Sequence, residues 1–291
     1  MSAPPRYFLG VDGGGTGCRA RLESELGEVL GQGLSGPATT RLGVEKAWTS
    51  IMTAVAAALA EAALTPDARD AIVAGIGLAG VGRKGALEAL KAMPHPFGGI
   101  AFISDGLAAC LGAHSGQDGA IVIAGTGSIR IGRVAGRDLR VGGYGFPISD
   151  EGSGADLGLQ VVRLALRAHD GRVEKTALLG EVMHRFHDDP VEAIGWMDHA
   201  SAADYATFAP LVIRHADQGD AVGRQIMRRA SGQIDAMVRA LFDQGAPRVS
   251  LLGGLSSAIE PWLSPDVRRR LKPADGDAVS GAITLARSVV V

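Results

Sequence analysis

The chain alternates short apolar runs that end at glycine or aspartate with longer stretches in which apolar residues recur at helical spacing. Such runs predict strands, and the longer stretches predict helices. In the first third, strands are predicted at Tyr7–Val11, Cys18–Ser24, Val29–Leu34, "AIVAGIGLAG" and "GIAFISD", with helices at 44–63 and Lys84–Met93. Alternation of buried strands with helices is typical of an α/β layer.

The same order of elements starts again at Ala120. The strand "AIVIAGTGS" runs into a turn of small residues, and "IRIGRV" and "DLRVGG" then form a hairpin around Gly136. At the start of the chain a strand likewise reaches three glycines, and "CRARLES" and "VLGQGL" form a hairpin around Gly27. The repeat predicts an internal duplication; two unrelated glycine-rich hairpins are the alternative.

After Glu151 the pattern becomes largely helical. Helices are predicted at Gly152–His169, Thr176–His187, Phe208–Asp217 and Asp220–Phe242, followed by the strand "RVSLLGG" and a helix at Asp277–Ser288. We therefore expect two domains, residues 1–112 and residues 113–275, the second with helical insertions. The final helix, residues 276–291, is expected to pack back on the first domain.

Composition and charge narrow the class of protein. Of the 291 residues, 46% are hydrophobic and 21% are charged, which is typical of a globular chain. The net charge of -2 gives no basic field for nucleic acid, and no apolar run is long enough to cross a membrane. Cys18 and Cys110 are too few for a disulfide framework, and prolines interrupt the N-terminus where a signal peptide would be apolar. We expect a soluble cytoplasmic protein with no nucleic-acid or membrane partner.

Three strands are predicted to end in turns that contain glycine. Consecutive backbone N–H groups in such turns form an anion site that a β-carbon would obstruct, and hydroxyl side chains add donors. The turns are Gly13, Gly14, Gly15 and Thr16; Gly125, Thr126, Gly127 and Ser128; and Gly253 and Gly254. The first two are predicted to hold the phosphates of a nucleotide, although none is a Walker loop. A plain tight turn is the alternative for each.

Two aspartates end apolar strands, where open α/β sheets bind their ligands. Phosphoryl transfer needs Mg²⁺ and a carboxylate that receives the hydroxyl proton. We predict that Asp12 holds the metal through water and that Asp105 is the base; Asp105 is also a possible helix N-cap. Asp150 and Glu151 precede a helix, so capping and binding of sugar hydroxyls are both open.

Other polar residues are given structural interpretations. His184 and His187 lie near two aspartates at a spacing that resembles a metal site, but a solvated helix end is favoured. His114 is interpreted as structural. Trp48, Trp196 and Trp262 are predicted to lie on helices and to belong to the core.

Five motifs together resemble the BadF/BadG/BcrA/BcrD ATPase family, the branch of the actin, hexokinase and Hsp70 superfamily that includes N-acetylglucosamine kinase. They are "GVDGGGT", "FISDG", "IAGTGS", "GGYGFPISDEGSGADLGL" and "LLGG". The segments "CLGAHSGQDGAIVIAGTGS" and "FPISDEGSGADLGL" and the tail are most similar to bacterial glucosamine kinases. The resemblance covers essentially the whole chain. It implies two RNase H-like domains with an ATP cleft between them.

The resemblance also implies roles for individual residues. Gly13, Gly14 and Thr16 match the first phosphate motif, Gly125, Thr126 and Gly127 the second, Gly253 and Gly254 the adenosine motif, Asp105 the catalytic base, Asp150 a sugar-binding carboxylate, and Gly143 and Tyr144 the loop that flanks the sugar. One position departs from the family. Thr39 stands where the family usually has an asparagine that contacts the sugar, and a hydroxyl is shorter and offers fewer donors.

These observations predict an ATP-dependent amino-sugar kinase that uses Mg²⁺ and forms glucosamine 6-phosphate, and the resemblance makes a homodimer plausible. An N-acetylglucosamine kinase is the alternative. A redox ATPase that activates a dehydratase is less favoured, because neither cysteine lies in a motif typical of an iron–sulfur cluster. A non-catalytic sugar sensor is disfavoured by the presence of Asp105 and both phosphate turns.

Overall fold

A computed structural model describes residues 6–64 and 70–289 of the chain. The chain forms two compact units. The first combines the segment up to Gly119 with the segment that starts at Pro273, and the second is Ala120–Lys272. The sequence had placed the divisions at 112/113 and 275/276, a few residues away. The outermost residues of the predicted domains, 1–5 and 290–291, lie outside the described part.

The first unit contains five strands and four α-helices among its described residues. Its elements are β1 (Tyr7–Gly13), β2 (Cys18–Glu23), β3 (Val29–Ser35), α1 (Val44–Glu61), β4 (Ile72–Leu78), α2 (Ala86–Lys91), β5 (Gly99–Ser104), α3 (Asp105–Ala113) and the C-terminal helix of the chain (Ala278–Ser288). The sheet order is β3-β2-β1-β4-β5. Because β1, β4 and β5 are parallel, their carboxyl ends meet at one edge of the sheet.

Glycines let helices approach both faces of this sheet. A Cβ added to Gly33 would lie 1.9 Å from the Ala54 carbonyl oxygen of α1. On the other face, a Cβ on Gly75 would lie 1.9 Å from the Ala282 carbonyl oxygen of the C-terminal helix. That helix buries Val279, Ile283 and Ala286 against Phe8 and Val73. The last helix of the chain therefore completes the core of the first unit.

The second unit contains a smaller sheet and most of the helices. Its elements are β6 (Gly119–Ala124), β7 (Ser128–Val134), β8 (Arg137–Arg140), α4 (Gly154–His169), α5 (Ala177–His184), α6 (Pro190–Met197), α7 (Ala202–Ala206), α8 (Ala209–Asp217), α9 (Ala221–Asp243), β9 (Val249–Leu252), α10 (Ser256–Ile259) and α11 (Pro265–Arg270). The C-terminal helix of the first unit is accordingly α12. One large apolar core cluster includes residues from β6, β9, α4, α5, α8 and α9.

The two sheets have equivalent topologies. The order β8-β7-β6-β9 repeats the order β3-β2-β1-β4. In the first sheet β1 pairs in parallel with β4, and in the second sheet β6 pairs in parallel with β9. The predicted duplication of strand, turn and hairpin is therefore present in the fold.

The structure differs from the sequence expectation in a few elements. Four short helices, α6, α7, α10 and α11, were not predicted; they have 8, 5, 4 and 6 residues. Trp262 lies in a 3₁₀ turn rather than on an α-helix, although it packs against the core as expected. None of the helices in the described part is both long and apolar enough to span a membrane.

Candidate active site

The first glycine turn leaves β1 and presents open space. Gly13 is required for packing, since a Cβ there would lie 2.6 Å from the Leu78 Cδ1 atom. The Gly14 amide donates to the Gly17 carbonyl at 2.9 Å, which closes the turn. A Cβ on Gly15 would meet no atom within 4 Å, and Gly15 and Thr16 are exposed. The absence of side chains at Gly14 and Gly15 is therefore not explained by packing.

Asp105 lies at the same edge of the sheet as this turn. It is the first residue of α3, directly after β5, and a Cβ on Gly77 of β4 would lie only 3.8 Å from the Asp105 Cα atom. Burial raises the pKa of the Asp105 carboxyl and the negative charge of Asp12 raises it further, while a hydrogen bond from the Gly106 amide, 2.8 Å long, acts in the opposite direction.

The interpretation of Asp105 as the N-cap of α3 is wrong. Ser104 has this role, because its hydroxyl accepts a hydrogen bond from the Leu107 amide at 3.1 Å. The cap comes one residue earlier than the sequence suggested, so the Asp105 carboxylate is not needed to cap the helix.

Asp12, the predicted metal ligand, is ion-paired in this structure. Its Oδ2 atom accepts a hydrogen bond from Arg19 Nη2 at 2.8 Å, and Arg19 Nη1 donates to Asp277 Oδ2 at 3.1 Å. The Arg19 side chain is half exposed, so the pair is weak enough for another cation to compete. No group of three or more His, Cys, Asp or Glu side chains in the described part is arranged to hold a metal ion.

Thr39 lies beside the carboxyl end of β4 and is buried. It forms an isolated parallel bridge with Ala79, and its hydroxyl donates to the Ala79 carbonyl at 3.2 Å. The same oxygen accepts from the Arg41 amide at 3.4 Å. The hydroxyl of Thr39 is thus engaged by the backbone.

The second glycine turn is fastened to the N-terminus of α4. The Gly125 amide donates to the Gly127 carbonyl at 2.9 Å. The carbonyls of Gly125 and Thr126 accept from the amides of Gly154 and Ala155 at 2.8 and 3.0 Å. Two helix N–H groups that have no partner within α4 are satisfied in this way. The Thr126 side chain is exposed.

The third turn lies next to the second one. Gly253 has a φ of +98°, and a Cβ there would lie 2.3 Å from the Ala124 carbonyl oxygen, so only glycine fits. A Cβ on Gly254 would meet nothing within 4 Å. Because β6 and β9 are parallel neighbours, the turns that follow them share the carboxyl edge of the second sheet. Open α/β sheets bind ligands at this edge.

The loop 142–152 folds back onto the second turn. Gly143 has a φ of +68° and Asp150 has a φ of +66°, a conformation that is uncommon for residues other than glycine, although aspartate adopts it more often than most. The Asp150 Oδ1 atom accepts from the Gly145 amide at 3.3 Å, and a Cβ on Gly127 would lie 2.7 Å from Asp150 Oδ2. The structure therefore places the Asp150 carboxylate against the second glycine turn.

Asp150 and Glu151 do not cap α4. The cap is Ser153, which is fully buried and accepts from the Asp156 amide at 3.1 Å. The capping interpretation of the two carboxylates is thus wrong. Tyr144 is 73% exposed, with the Arg140 guanidinium 4.9 Å from its ring centroid, so its ring is accessible at the surface of the loop.

Ser128 and Arg130 both donate hydrogen bonds to this loop. The buried Ser128 hydroxyl donates to the Glu151 carbonyl at 3.0 Å, so it is not presented to a ligand as expected from the sequence. Arg130 was missed, because an arginine in "IRIGRV" looks like a solvent-facing strand residue. Its side chain is fully buried, and Nη2 donates to the same carbonyl at 2.6 Å. Burial lowers the pKa of the guanidinium to about 10, against the effect of the Glu151 and Asp150 charges.

The remaining candidates lie where the sequence interpretation put them. His184 and Asp188 are exposed, with 3.4 Å between Nδ1 and Oδ2 at the end of α5. His114 is fully buried, and its ring packs so closely on Gly119 that a Cβ there would lie 2.3 Å from Cδ2. Both cysteines are buried, and burial raises the pKa of the Cys18 thiol to about 11.

The two sheets of equivalent strand order, each in its own compact unit, define a two-domain α/β protein with an internal duplication. The chain belongs to the BadF/BadG/BcrA/BcrD ATPase family, which matches residues 9–285. The predicted family and fold class are confirmed.

Three similar proteins narrow the class further. The chain is 40% identical to glucosamine kinase GspK of Vibrio cholerae over 280 residues, 96% of this chain and 95% of the relative. It is 28% identical to an N-acetylmuramic acid/N-acetylglucosamine kinase of Clostridium acetobutylicum, with 97% and 99% covered. A solved candidate N-acetylglucosamine kinase from Chromobacterium violaceum superposes with a TM-score of 0.87 at 35% identity, with 97% and 99% covered.

Proposed function

We propose that this chain is an ATP-dependent amino-sugar kinase that phosphorylates the 6-hydroxyl of glucosamine. The observation that carries the proposal is Asp105, a partly buried carboxylate of raised pKa at the same strand edge as an open glycine turn. The similarity over almost the full length to a glucosamine kinase supports the choice of sugar.

Asp105 is the general base in this proposal. A base works best when its pKa lies near the operating pH, and burial and the charge of Asp12 move the pKa of Asp105 in that direction. The 6-hydroxyl donates its proton to the Asp105 carboxylate while the oxygen forms a bond to the γ-phosphorus of ATP and the bond to the leaving ADP oxygen breaks. The Gly106 amide fixes the orientation of the carboxylate through its 2.8 Å hydrogen bond.

The glycine turns bind the nucleotide. We assign Gly13, Gly14, Gly15 and Thr16 of the first unit, and Gly125, Thr126 and Gly127 of the second, to the phosphates. Gly253 and Gly254 are assigned to the adenosine. Support comes from the open space at Gly15 and Gly254 and from the exposed Thr16 and Thr126 side chains.

Mg²⁺ fits the residues at the first turn. This ion is usually held by one or two carboxylates, substrate phosphates and water rather than by a protein cage, and Asp12 is a single, partly exposed carboxylate at the strand edge. When bound, the ion offsets the charge of the phosphates. Arg19 neutralises Asp12 in the structure described here, through the 2.8 Å ion pair.

The sugar is assigned to the loop 142–152 and to the edge of β4. Asp150 accepts hydrogen bonds from sugar hydroxyls, and the exposed Tyr144 ring and the backbone of Gly143 flank the sugar. Thr39, whose hydroxyl donates to the Ala79 carbonyl, is also assigned to the sugar site. The Thr39 side chain is shorter than the asparagine of the family, and its hydroxyl is hydrogen-bonded to the backbone, so it leaves more room for the sugar. This position therefore bears on which sugar is accepted.

N-acetylglucosamine is the second candidate substrate. Two of the similar proteins are described as kinases of this sugar, and the shorter side chain of Thr39 leaves the sugar pocket less defined than in the family. We expect glucosamine to be preferred by on the order of tenfold or more in kcat/KM. A coupled ADP assay with glucosamine, N-acetylglucosamine, glucose and N-acetylmuramic acid separates the candidates, and preference for an acetylated sugar would overturn the assignment.

Gly15→Ala tests the nucleotide assignment. The fold has room for this Cβ, so the melting temperature should stay within about 2 °C of the wild type, while the KM for ATP rises about tenfold because the methyl occupies the space of a phosphate. Gly180→Ala, an equally open glycine on α5, is the matched control and should leave the KM unchanged. An unchanged KM for ATP in Gly15→Ala would contradict the assignment.

Location and assembly belong to the same proposal. Two buried thiols without a disulfide fit the reducing cytoplasm. A homodimer is expected from the family resemblance. Light scattering at micromolar concentration measures the mass directly.

A further inference from the structure

Arg130 is an unusual residue for the interior of a sheet. Its side chain is fully buried, and it is the largest such side chain in the described part of the chain. Arginine is almost never fully buried unless it is paired, because desolvation of the charge is costly. Two of its nitrogens, Nε and Nη1, have no hydrogen-bond partner among the described residues. A buried group of this kind calls for a specific explanation.

The polar contacts of the Arg130 side chain are made with Glu151, near the end of the loop. Nη2 donates to the Glu151 backbone carbonyl at 2.6 Å, and Nη1 lies 4.0 Å from the Glu151 carboxylate. A Cβ on Gly142, at the start of the loop, would lie 3.3 Å from Nη1. The guanidinium thus fills the space beneath the loop and is fastened to the residue that follows Asp150.

Asp150 needs such support because its backbone is strained. A non-glycine residue with a φ of +66° persists only where its surroundings hold it in place. The hydrogen bonds to the Glu151 carbonyl come from Ser128 and Arg130, both on β7, the strand that leaves the second glycine turn. One strand, β7, therefore fixes the position of the loop relative to the second glycine turn.

We infer that Arg130 is a positioning residue for the sugar: by tying the Glu151 carbonyl to β7, it fixes the Asp150 carboxylate against the second glycine turn. This inference rests on the proposed function, because it takes Asp150 as a sugar-binding group. Arg130 does not touch the sugar itself, since it is fully buried beneath the loop.

The inference differs from a general role in stability. If Arg130 is replaced, the Glu151 carbonyl still accepts from the Ser128 hydroxyl, so no buried carbonyl is left unsatisfied and the fold should persist. Methionine can fill much of the space of the arginine stem, and it removes a buried charge. We therefore expect the loss to appear in the loop rather than in the whole unit.

The test uses the full chain with three substitutions. Arg130→Met removes the hydrogen bond, and Arg130→Lys keeps the charge with a single donor group. Arg133→Met on the same strand is the matched control, because Arg133 is partly exposed and pairs with Asp138 at the surface. Hydrogen–deuterium exchange of the protein without ligand follows the amides of the loop, of which Gly145, Ser149 and Gly152 donate hydrogen bonds in the structure.

In Arg130→Met we expect exchange in segment 142–152 to accelerate about tenfold or more, with α9 unchanged. The KM for glucosamine should rise about tenfold while the KM for ATP stays within about threefold. Arg130→Lys should lie between Arg130→Met and the wild type, and Arg133→Met should match the wild type. If Arg130→Met fails to fold, Arg130→Lys provides the same readouts.

The inference would be overturned if segment 142–152 of Arg130→Met exchanged at the wild-type rate, or if its KM values for glucosamine and for ATP rose equally. Failure of the proposed function looks different. In that case the wild type turns over no amino sugar, while the exchange of the loop in Arg130→Met still reports whether Arg130 holds Asp150 in place. Loop exchange then decides the positioning on its own.

Discussion

Asp105 combines a position at a strand edge with an electrostatic environment that keeps its proton affinity high. The carboxyl is partly buried, and the charge of Asp12 disfavours its ionised form. Neither effect is needed for the fold, since Ser104 caps α3. Residues that carry an unfavourable charge without a structural need are typical of functional sites.

Replacement of Asp105 by asparagine should remove nearly all turnover while leaving nucleotide binding intact. Asparagine keeps the shape and an oxygen for the Gly106 amide, but it accepts no proton. Loss of a general base lowers kcat by roughly 10²–10⁴-fold. The ADP assay measures kcat, and ATP binding measured by calorimetry is the control. A variant with wild-type kcat would remove Asp105 from the role of base.

The same substitution should stabilise the protein at neutral pH. The native pKa of Asp105 is raised, so the folded state binds its proton more tightly than the unfolded chain does. Its contribution to the free energy of unfolding therefore falls as the pH rises from the usual aspartate value through the raised native value. Asp105→Asn should be more stable than the wild type at neutral pH, and the difference should disappear in acid. Urea unfolding across this range measures it, and a difference independent of pH would contradict the argument.

Two glycines let helices of the first unit approach the sheet closely, beside a core of large apolar side chains. Gly33 admits α1 on one face of the sheet, and Gly75 admits α12 on the other. The sequence shows these glycines in "VLGQGL" and "AIVAGIGLAG", where they weaken a strand considered alone. Their role becomes clear only when the helix that covers each of them is known.

Gly75→Ala should therefore be strongly destabilising. Its Cβ would lie 1.9 Å from the Ala282 carbonyl oxygen, and this backbone atom can move only with α12. Overpacking of this kind costs about 1–3 kcal/mol or more. Gly180→Ala on α5 has open space and should instead be neutral or stabilising by up to about 1 kcal/mol. Urea midpoints of the two variants compare them directly, and equal midpoints would contradict the close packing of α12.

At the scale of the whole molecule, segments that are far apart in the chain form one compact unit. The first unit needs its last helix, α12, which follows the entire second unit in sequence. Phe8 and Val73 are buried against Val279 and Ile283, and the Arg287 guanidinium lies 4.2 Å from the centroid of the Phe8 ring. The first unit is therefore complete only once α12 has been made.

A chain that stops after Lys272 should leave the first unit incompletely folded. Loss of α12 exposes the apolar face of β1 and β4, and this face contributes a separate core cluster. Limited proteolysis should then cut within the first unit while residues 120–272 resist. A chain that stops after Ser288, which retains α12, is the control and should resist throughout. Equal resistance of the two truncated chains would show that α12 is dispensable.

Several features could be predicted from the sequence because they are local. The strands that end in glycine, the aspartates at the strand ends and the repeat of strand, turn and hairpin each depend on residues close together in the chain. They were found where expected, at Gly13 and Gly125 among others. The N-caps were placed less well, since Ser104 and Ser153 have this role rather than the neighbouring carboxylates.

The sequence alone thus determined the strand-end turns and the duplication, since backbone conformation near glycine and apolar runs is set by neighbours in the chain. Only the tertiary structure decided that Arg130 is buried beneath the Asp150 loop and that burial raises the pKa of Asp105. It also decided that the hydroxyls of Ser128 and Thr39 donate hydrogen bonds to backbone carbonyls. Burial and desolvation arise from segments far apart in sequence, so no local pattern specifies them.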